Sequence, residues 1–98
     1  MNASVAIQVL PKVATNEETI RIVDEVINYI KSFDVKAEVG PFETTLESDY
    51  DTLMEIVKGC PTVCTKAGAP SAMVYVKINY APDGVLTIEE KCAKHREV

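Results

Sequence analysis

From Ser4 to Leu10 the apolar residues Val5, Ile7 and Val9 alternate with Ser4, Ala6, Gln8 and Leu10, the period of a strand with one buried face. Pro11 ends that run. The spacing then lengthens: Ile20, Val23, Val26, Ile27, Ile30 and Phe33 recur every three or four residues behind a Thr15/Glu18 capping box, which predicts an amphipathic helix over 16–33. Lys31 near its end suits the helix dipole. Val35, Ala37 and Val39 mark the inward side of a second strand, and Gly40-Pro41-Phe42 turns the chain into a third, Glu43 to Glu47. There Glu43, Thr45 and Glu47 share one face, and Thr44 and Leu46 take the other. Ser48 or Asp49 caps a second helix with the stripe Tyr50, Leu53, Met54 and Val57. Gly59 and Pro61 fall inside it, so a kink near Val57, or a break and restart through Cys64, is expected. A fourth strand, Ala72 to Tyr80, sets Val74, Val76 and Ile78 against Met73, Tyr75, Lys77 and Asn79. Pro82-Asp83-Gly84 closes it with a turn, and Thr87 with Glu90 caps a short C-terminal helix.

No repeat, linker or low-complexity stretch interrupts the order β-α-β-β-α-β, so residues 1–98 read as a single α+β domain. The order is that of the ferredoxin-like sandwich: a four-stranded antiparallel sheet in the order 4-1-3-2, with both main helices on one face. Strands one and three then lie together in the middle. The helices cover the valine and isoleucine side of each strand, and the open face carries Ala6, Gln8, Lys36, Glu38, Glu43, Thr45, Glu47, Met73, Tyr75, Lys77 and Asn79. A solvated face with scattered apolar residues is the plain reading. The mixture of Ala6, Leu10, Met73 and Tyr75 with carboxylates fits partial coverage by a second subunit better, as in a homodimer or homotetramer.

Charge narrows the partners. A formal net charge of −5, with acids and bases interspersed, opposes binding to nucleic acid or an anionic membrane, either of which needs a basic stripe. A cationic or neutral small molecule fits better. No apolar run approaches the ~20 residues of a membrane span, and MNASVAIQVL has neither a basic leader nor a small-residue cleavage site. A cytoplasmic protein is expected. The 3 cysteines are an odd count, and a reducing compartment keeps them as thiols. Cys60 and Cys64, four apart on one helical face, read as buried small hydrophobes. A zinc site built from cysteines and His95 is disfavoured, because His95 lies far along the chain in a basic tail.

Several chemistries of this fold lack their residues. An RNA-recognition module needs stacking aromatics on the central strands, where Gln8, Glu43, Thr45 and Glu47 stand. A metal chaperone needs cysteines after the first strand, and PKVATN has none. An acylphosphatase-like enzyme needs an anion-binding nest there, and Lys12 beside Pro11 is a poor substitute. With the one histidine in the tail, no Ser-His or Cys-His pair can be drawn. The reading is a protein without catalytic residues, metal or cofactor.

ETTLES after a Gly-containing turn, the helix start DYDTLMEIVKG, the strand YVKINYAPD and the closing TIEEKCAKH resemble the thiamine- and hydroxymethylpyrimidine-binding protein family, over nearly the full chain. Thr44, Leu46, Glu47 and Lys77 in register carry most of the resemblance. It implies a ferredoxin-like domain that holds thiamine or its pyrimidine precursor without chemistry and associates as dimers or tetramers. Gly59 and Pro61 depart from the continuous helix expected of the family.

Candidate contacts follow from the geometry of the open face. A carboxylate accepts from the exocyclic amine of an aminopyrimidine: Glu47 first, Glu43 second, with Gln8 and Thr45 as polar neighbours. Tyr75 or Phe42 can stack on a ring, including the cationic thiazolium. Glu47 is also readable as a solvated strand-end residue, and Lys77 as the partner of a glutamate. The reading from another class is an oligomerisation or regulatory domain with no small-molecule ligand, its open face serving only as an interface. Thiamine, its phosphate and the free pyrimidine are not separable from sequence, nor are storage, delivery and sensing.

Overall fold

Alternation makes β1 (Ala3–Pro11) the central strand of the sheet, between β3 (Thr44–Ser48) on one side and β4 (Ala72–Tyr80) on the other. The computed structural model describes residues 1–96. β2 (Lys36–Val39) pairs with β3, every pairing is antiparallel, and the order β2-β3-β1-β4 is the expected ferredoxin-like sheet. The register sets Val5 opposite both Leu46 and Ile78, and Ala6 opposite both Thr45 and Lys77. Each strand therefore presents its expected faces.

Helices α1 (Asn16–Lys31) and α2 (Tyr50–Lys66) contribute the other half of the core. The N-cap of α1 is Thr15, whose hydroxyl accepts from the Glu18 N–H at 3.1 Å. Its buried residues are Ile22, Val26 and Ile30. Ile20, expected to face the sheet, is 62% exposed instead: the helix is rotated so that an i, i+4 row meets the sheet and Val23 and Ile27 flank it half-buried. The helix ends at Lys31, short of Phe33, which packs edge-on against Tyr29 at 5.2 Å.

Asp49 caps α2 through the Thr52 N–H, and the helix continues through Pro61 to Lys66 with neither a break nor a restart. Proline removes one hydrogen bond, an effect of about 3 kcal/mol. Leu53 and Ile56, fully buried, each contribute roughly 1.5–3 kcal/mol through burial, and the fully buried Cys60 and Cys64 on either side of Pro61 add to this. The stripe wins. Tyr50, expected in it, is 36% exposed and leans on Tyr80 at the sheet's end. Gly59 is explained by its neighbour, because a Cβ there would lie 1.9 Å from the Tyr29 hydroxyl oxygen. The turn after β4 needs Gly84, at φ 116°.

The last helix, α3 (Ile88–Arg96), begins with the expected capping box: Thr87 and Glu90 exchange side-chain to backbone hydrogen bonds of 3.0 Å in both directions. Its position is the new feature. It crosses the open face on the β2–β3 side, fastened at one end by Glu47, which accepts from the Ile88 N–H, and at the other by Arg96 paired with Glu38. Ile88 is its one buried side chain among the described residues.

Candidate functional site

The open face is organised in cross-strand rows. Glu47, Ser4 and Asn79 form one, and Thr45, Ala6 and Lys77 the next. Gln8 and Tyr75 stand opposite each other in the third, with Glu43 just ahead of β3. The β2–β3 turn closes where the Gly40 N–H donates to the Glu43 carbonyl at 2.9 Å, leaving Phe42 at its tip 79% exposed.

Because α3 meets the sheet through Ile88 and its two fastened ends, space remains beneath it. A cleft of about 410 Å³ lies between the turn and α3, lined by Glu38, Gly40, Pro41, Phe42, Glu43, Thr45, Ile88, Lys91, Cys92 and Arg96. An adjoining hollow of about 280 Å³ shares Glu43, Thr45 and Lys91 with it and continues over Ser4 and Ala6 to Lys77 and Asn79. On the opposite side of the turn, a gap of about 210 Å³ separates it from α1, with Val23, Val26, Ile27 and Ile30 among its walls.

Three of the six expected contacts thus meet in one cleft: Phe42, Glu43 and Thr45. Gln8 lines the gap beside α1, where it meets the other side of Phe42 and Glu43. Tyr75 stands on the edge strand, 51% exposed and outside all three spaces. Glu47 is 7% exposed; one carboxylate oxygen holds the Ile88 N–H and the other lies 3.9 Å from Lys36 Nζ. It lines neither the cleft nor the hollow and acts at the N-terminus of α3, where a negative charge is favoured. Lys77 binds Glu43 at 3.0 Å, the glutamate pairing expected of it. Sequence reasoning missed the α3 wall: Ile88, Lys91, Cys92 and Arg96. The available signal was the i, i+4 pair Ile88 and Cys92, the inward edge of an otherwise polar helix.

The cleft is electrically mixed. Glu38 is matched by Arg96 and Glu43 by Lys77, whereas Lys91 has no ion-pair partner among the described residues. Cys92 is half-buried in the cleft wall. The other two thiols lie deep in the core, where burial, then the neighbouring Cys64, pushes Cys60 up to about 11, and burial also raises Cys64. Among the described residues no group of three or more His, Cys, Asp or Glu side chains is arranged to hold a metal ion. Among the described residues no helix is long and apolar enough to cross a membrane.

The sheet, its register and the helix over its face match a known pattern. The family model for thiamine-binding protein matches residues 5–96. The chain belongs to that family. A UPF0045 protein of Clostridium perfringens is 45% identical over 93 residues, 95% of this chain and 96% of its own. Among solved structures, a Bacillus cereus domain of unknown function, DUF77, superposes with a TM-score of 0.88 at 34% identity, covering 99% of this chain and 92% of that one. A candidate thiamine biosynthesis/salvage protein of Thermotoga maritima gives a TM-score of 0.87 at 32% identity, with 98% of this chain and 100% of that one covered. The family membership expected from ETTLES and its companions is borne out.

Proposed function

We propose that this thiamine-binding family member holds thiamine, or its hydroxymethylpyrimidine moiety, without chemistry, in the cleft between α3 and the β2–β3 turn. The observation that carries the reading is the convergence of an exposed aromatic, a carboxylate and a hydroxyl, Phe42, Glu43 and Thr45, in a cleft of about 410 Å³, a size suited to a small heterocycle. Phe42 offers a ring face to a planar cation, worth about 0.5–2 kcal/mol. Glu43 and Thr45 offer acceptors to the exocyclic amine. A dissociation constant near micromolar needs about −8 kcal/mol in all, within reach of such a set beneath α3.

Calorimetry with thiamine and with hydroxymethylpyrimidine tests this. Wild type is expected to bind at least one of them at micromolar concentration. Phe42→Ala should weaken binding by about tenfold, the equivalent of about 1.4 kcal/mol. Heat of binding absent for both compounds would leave an assembly domain as the better reading.

One observation favours association in either case. Met73 and Tyr75 on the open side of β4 are 44% and 51% exposed, on a strand whose outer edge has no partner strand among the described residues. A second copy covering that edge and the bare half of the face accounts for them. Light scattering should give a dimer or tetramer of the 10.8 kDa chain; a monomer mass at high micromolar concentration contradicts the oligomer.

A further inference from the structure

The hollow beside the cleft has a composition of its own. The two smallest side chains on the open face, Ser4 and Ala6, form its floor. The register sets them between Thr45 and Glu47 on one side and Lys77 and Asn79 on the other, so the rim is higher than the floor. The rim is rich in donors: the Thr45 hydroxyl, the Asn79 amide and the ammonium groups of Lys77 and Lys91, with the Ser4 hydroxyl below. The one carboxylate lining it, Glu43, is already bound to Lys77. Among the lining residues two cations stand against one anion, and the Glu47 carboxylate beside Ser4 is turned to the Ile88 N–H and Lys36, on a chain whose formal net charge is −5. Lys91 faces both spaces and has no carboxylate partner among the described residues.

We propose that this hollow is an anion subsite for the phosphate of a phosphate monoester whose ring occupies the cleft, so that the phosphorylated ligand is preferred over the free alcohol. The inference rests on the reading of the cleft as the ring site. A monoester carries a charge of about −1.5 to −2 at neutral pH and three acceptor oxygens, and the hollow supplies amines and hydroxyls to match them. The two spaces share Glu43, Thr45 and Lys91, so one molecule can span both. Lys91, rising from α3, would bind the phosphate beside the ring. Glu43 opposes the anion, and its ion pair with Lys77 screens that repulsion.

Titration calorimetry of wild type and Lys91→Met with thiamine, thiamine monophosphate and inorganic phosphate tests the proposal. Lys91 is exposed, and equal melting temperatures would show that the variant is folded. In wild type the monophosphate should bind about tenfold tighter than thiamine, the effect of one charge-assisted phosphate contact. Lys91→Met should remove most of that advantage, bringing the ratio of monophosphate to thiamine affinity from about ten to within about twofold of one. Millimolar inorganic phosphate should compete with the monophosphate and leave thiamine binding unaffected. Equal affinities for thiamine and its monophosphate in wild type overturn the subsite and leave the cleft reading standing. A preference that survives Lys91→Met also overturns it, because the phosphate then lies elsewhere. Failure of thiamine and its monophosphate alike to bind overturns this proposal, whereas the cleft reading falls only if hydroxymethylpyrimidine also fails to bind.

Discussion

Glu47→Gln separates two roles for the residue that ends the ETTLE run. Its carboxylate accepts from the Ile88 N–H and its side chain is 5% exposed, while the Lys36 side chain beside it is 52% exposed. Glutamine keeps an acceptor of the same size and loses the charge. In a partly buried setting a charge at a helix N-terminus is worth up to about 2 kcal/mol, and the half-exposed Lys36 contact adds about 0.5 kcal/mol at most. The expected loss is therefore about 1–2.5 kcal/mol, and it falls on α3, whose one buried side chain among the described residues is Ile88. Hydrogen exchange read by mass spectrometry should show the α3 amides opening about 5- to 70-fold more often, with β1 and β3 changed much less. Because α3 is one wall of the cleft, ligand affinity should fall with the fraction of closed helix, and Ile88→Ala, which leaves the carboxylate in place, should reproduce the fall. Unchanged α3 exchange in Glu47→Gln would refute the anchoring argument. Normal exchange combined with lost binding would return Glu47 to direct contact with the ligand.

Gly59→Ala sets a helix-propensity gain of about 1 kcal/mol against overpacking of about 1–3 kcal/mol, since the added Cβ falls 1.9 Å from the Tyr29 hydroxyl; urea denaturation should show a net loss, and a gain would refute the close packing. Native protein treated with iodoacetamide near pH 8 should take one label, at the half-buried Cys92, and three after unfolding, because Cys60 and Cys64 are fully buried and burial raises both thiols; rapid labelling of Cys60 on mass mapping would contradict that core. Hydrogen bonds from Thr52 hold the Asp49 carboxyl below its usual range, and those from Thr87 do the same for Glu90. Folded values below the unfolded ones mean that their stabilisation is present above the unfolded pKa and is lost as pH falls through the folded one. Denaturation midpoints should therefore drop below about pH 4, less so in Asp49→Asn.

The strand faces were legible because a period of two admits only two phases, and the register confirms the phase chosen for Val5, Leu46 and Ile78. Helix phase was less so. In α1 both the Ile20–Val23–Ile27 and the Ile22–Val26–Ile30 rows are apolar, and the angle at which the sheet meets the helix selects the second. Ile56 was missed in α2 for the same reason. The course of α2 through Pro61 could not be read locally, since it depends on burial of Cys60 and Cys64 against other elements. Family membership was legible because it rests on residues taken in order, such as ETTLES, which no packing argument is needed to see.

The cleft was half legible for a reason that lies in α3. The period-two pattern places Glu43, Thr45 and Glu47 on one face, but it treats them as equivalent, and the polar helix TIEEKCAKHR shows no strong stripe to say where it docks. Once α3 lies across β2 and β3, the three residues part company. Glu47 is enclosed and holds the helix N-terminus. Thr45 lines both the cleft and the hollow. Glu43, paired to Lys77 at 3.0 Å, stands at the meeting of the cleft, the hollow and the gap beside α1. The same placement divides the open face into a part under the chain's own helix, where a small molecule can be enclosed, and a part on β1 and β4 where Leu10, Met73 and Tyr75 remain exposed. Ligand and second copy then need not compete for the same surface, so a variant such as Tyr75→Ala should disturb association while leaving the walls of the cleft intact.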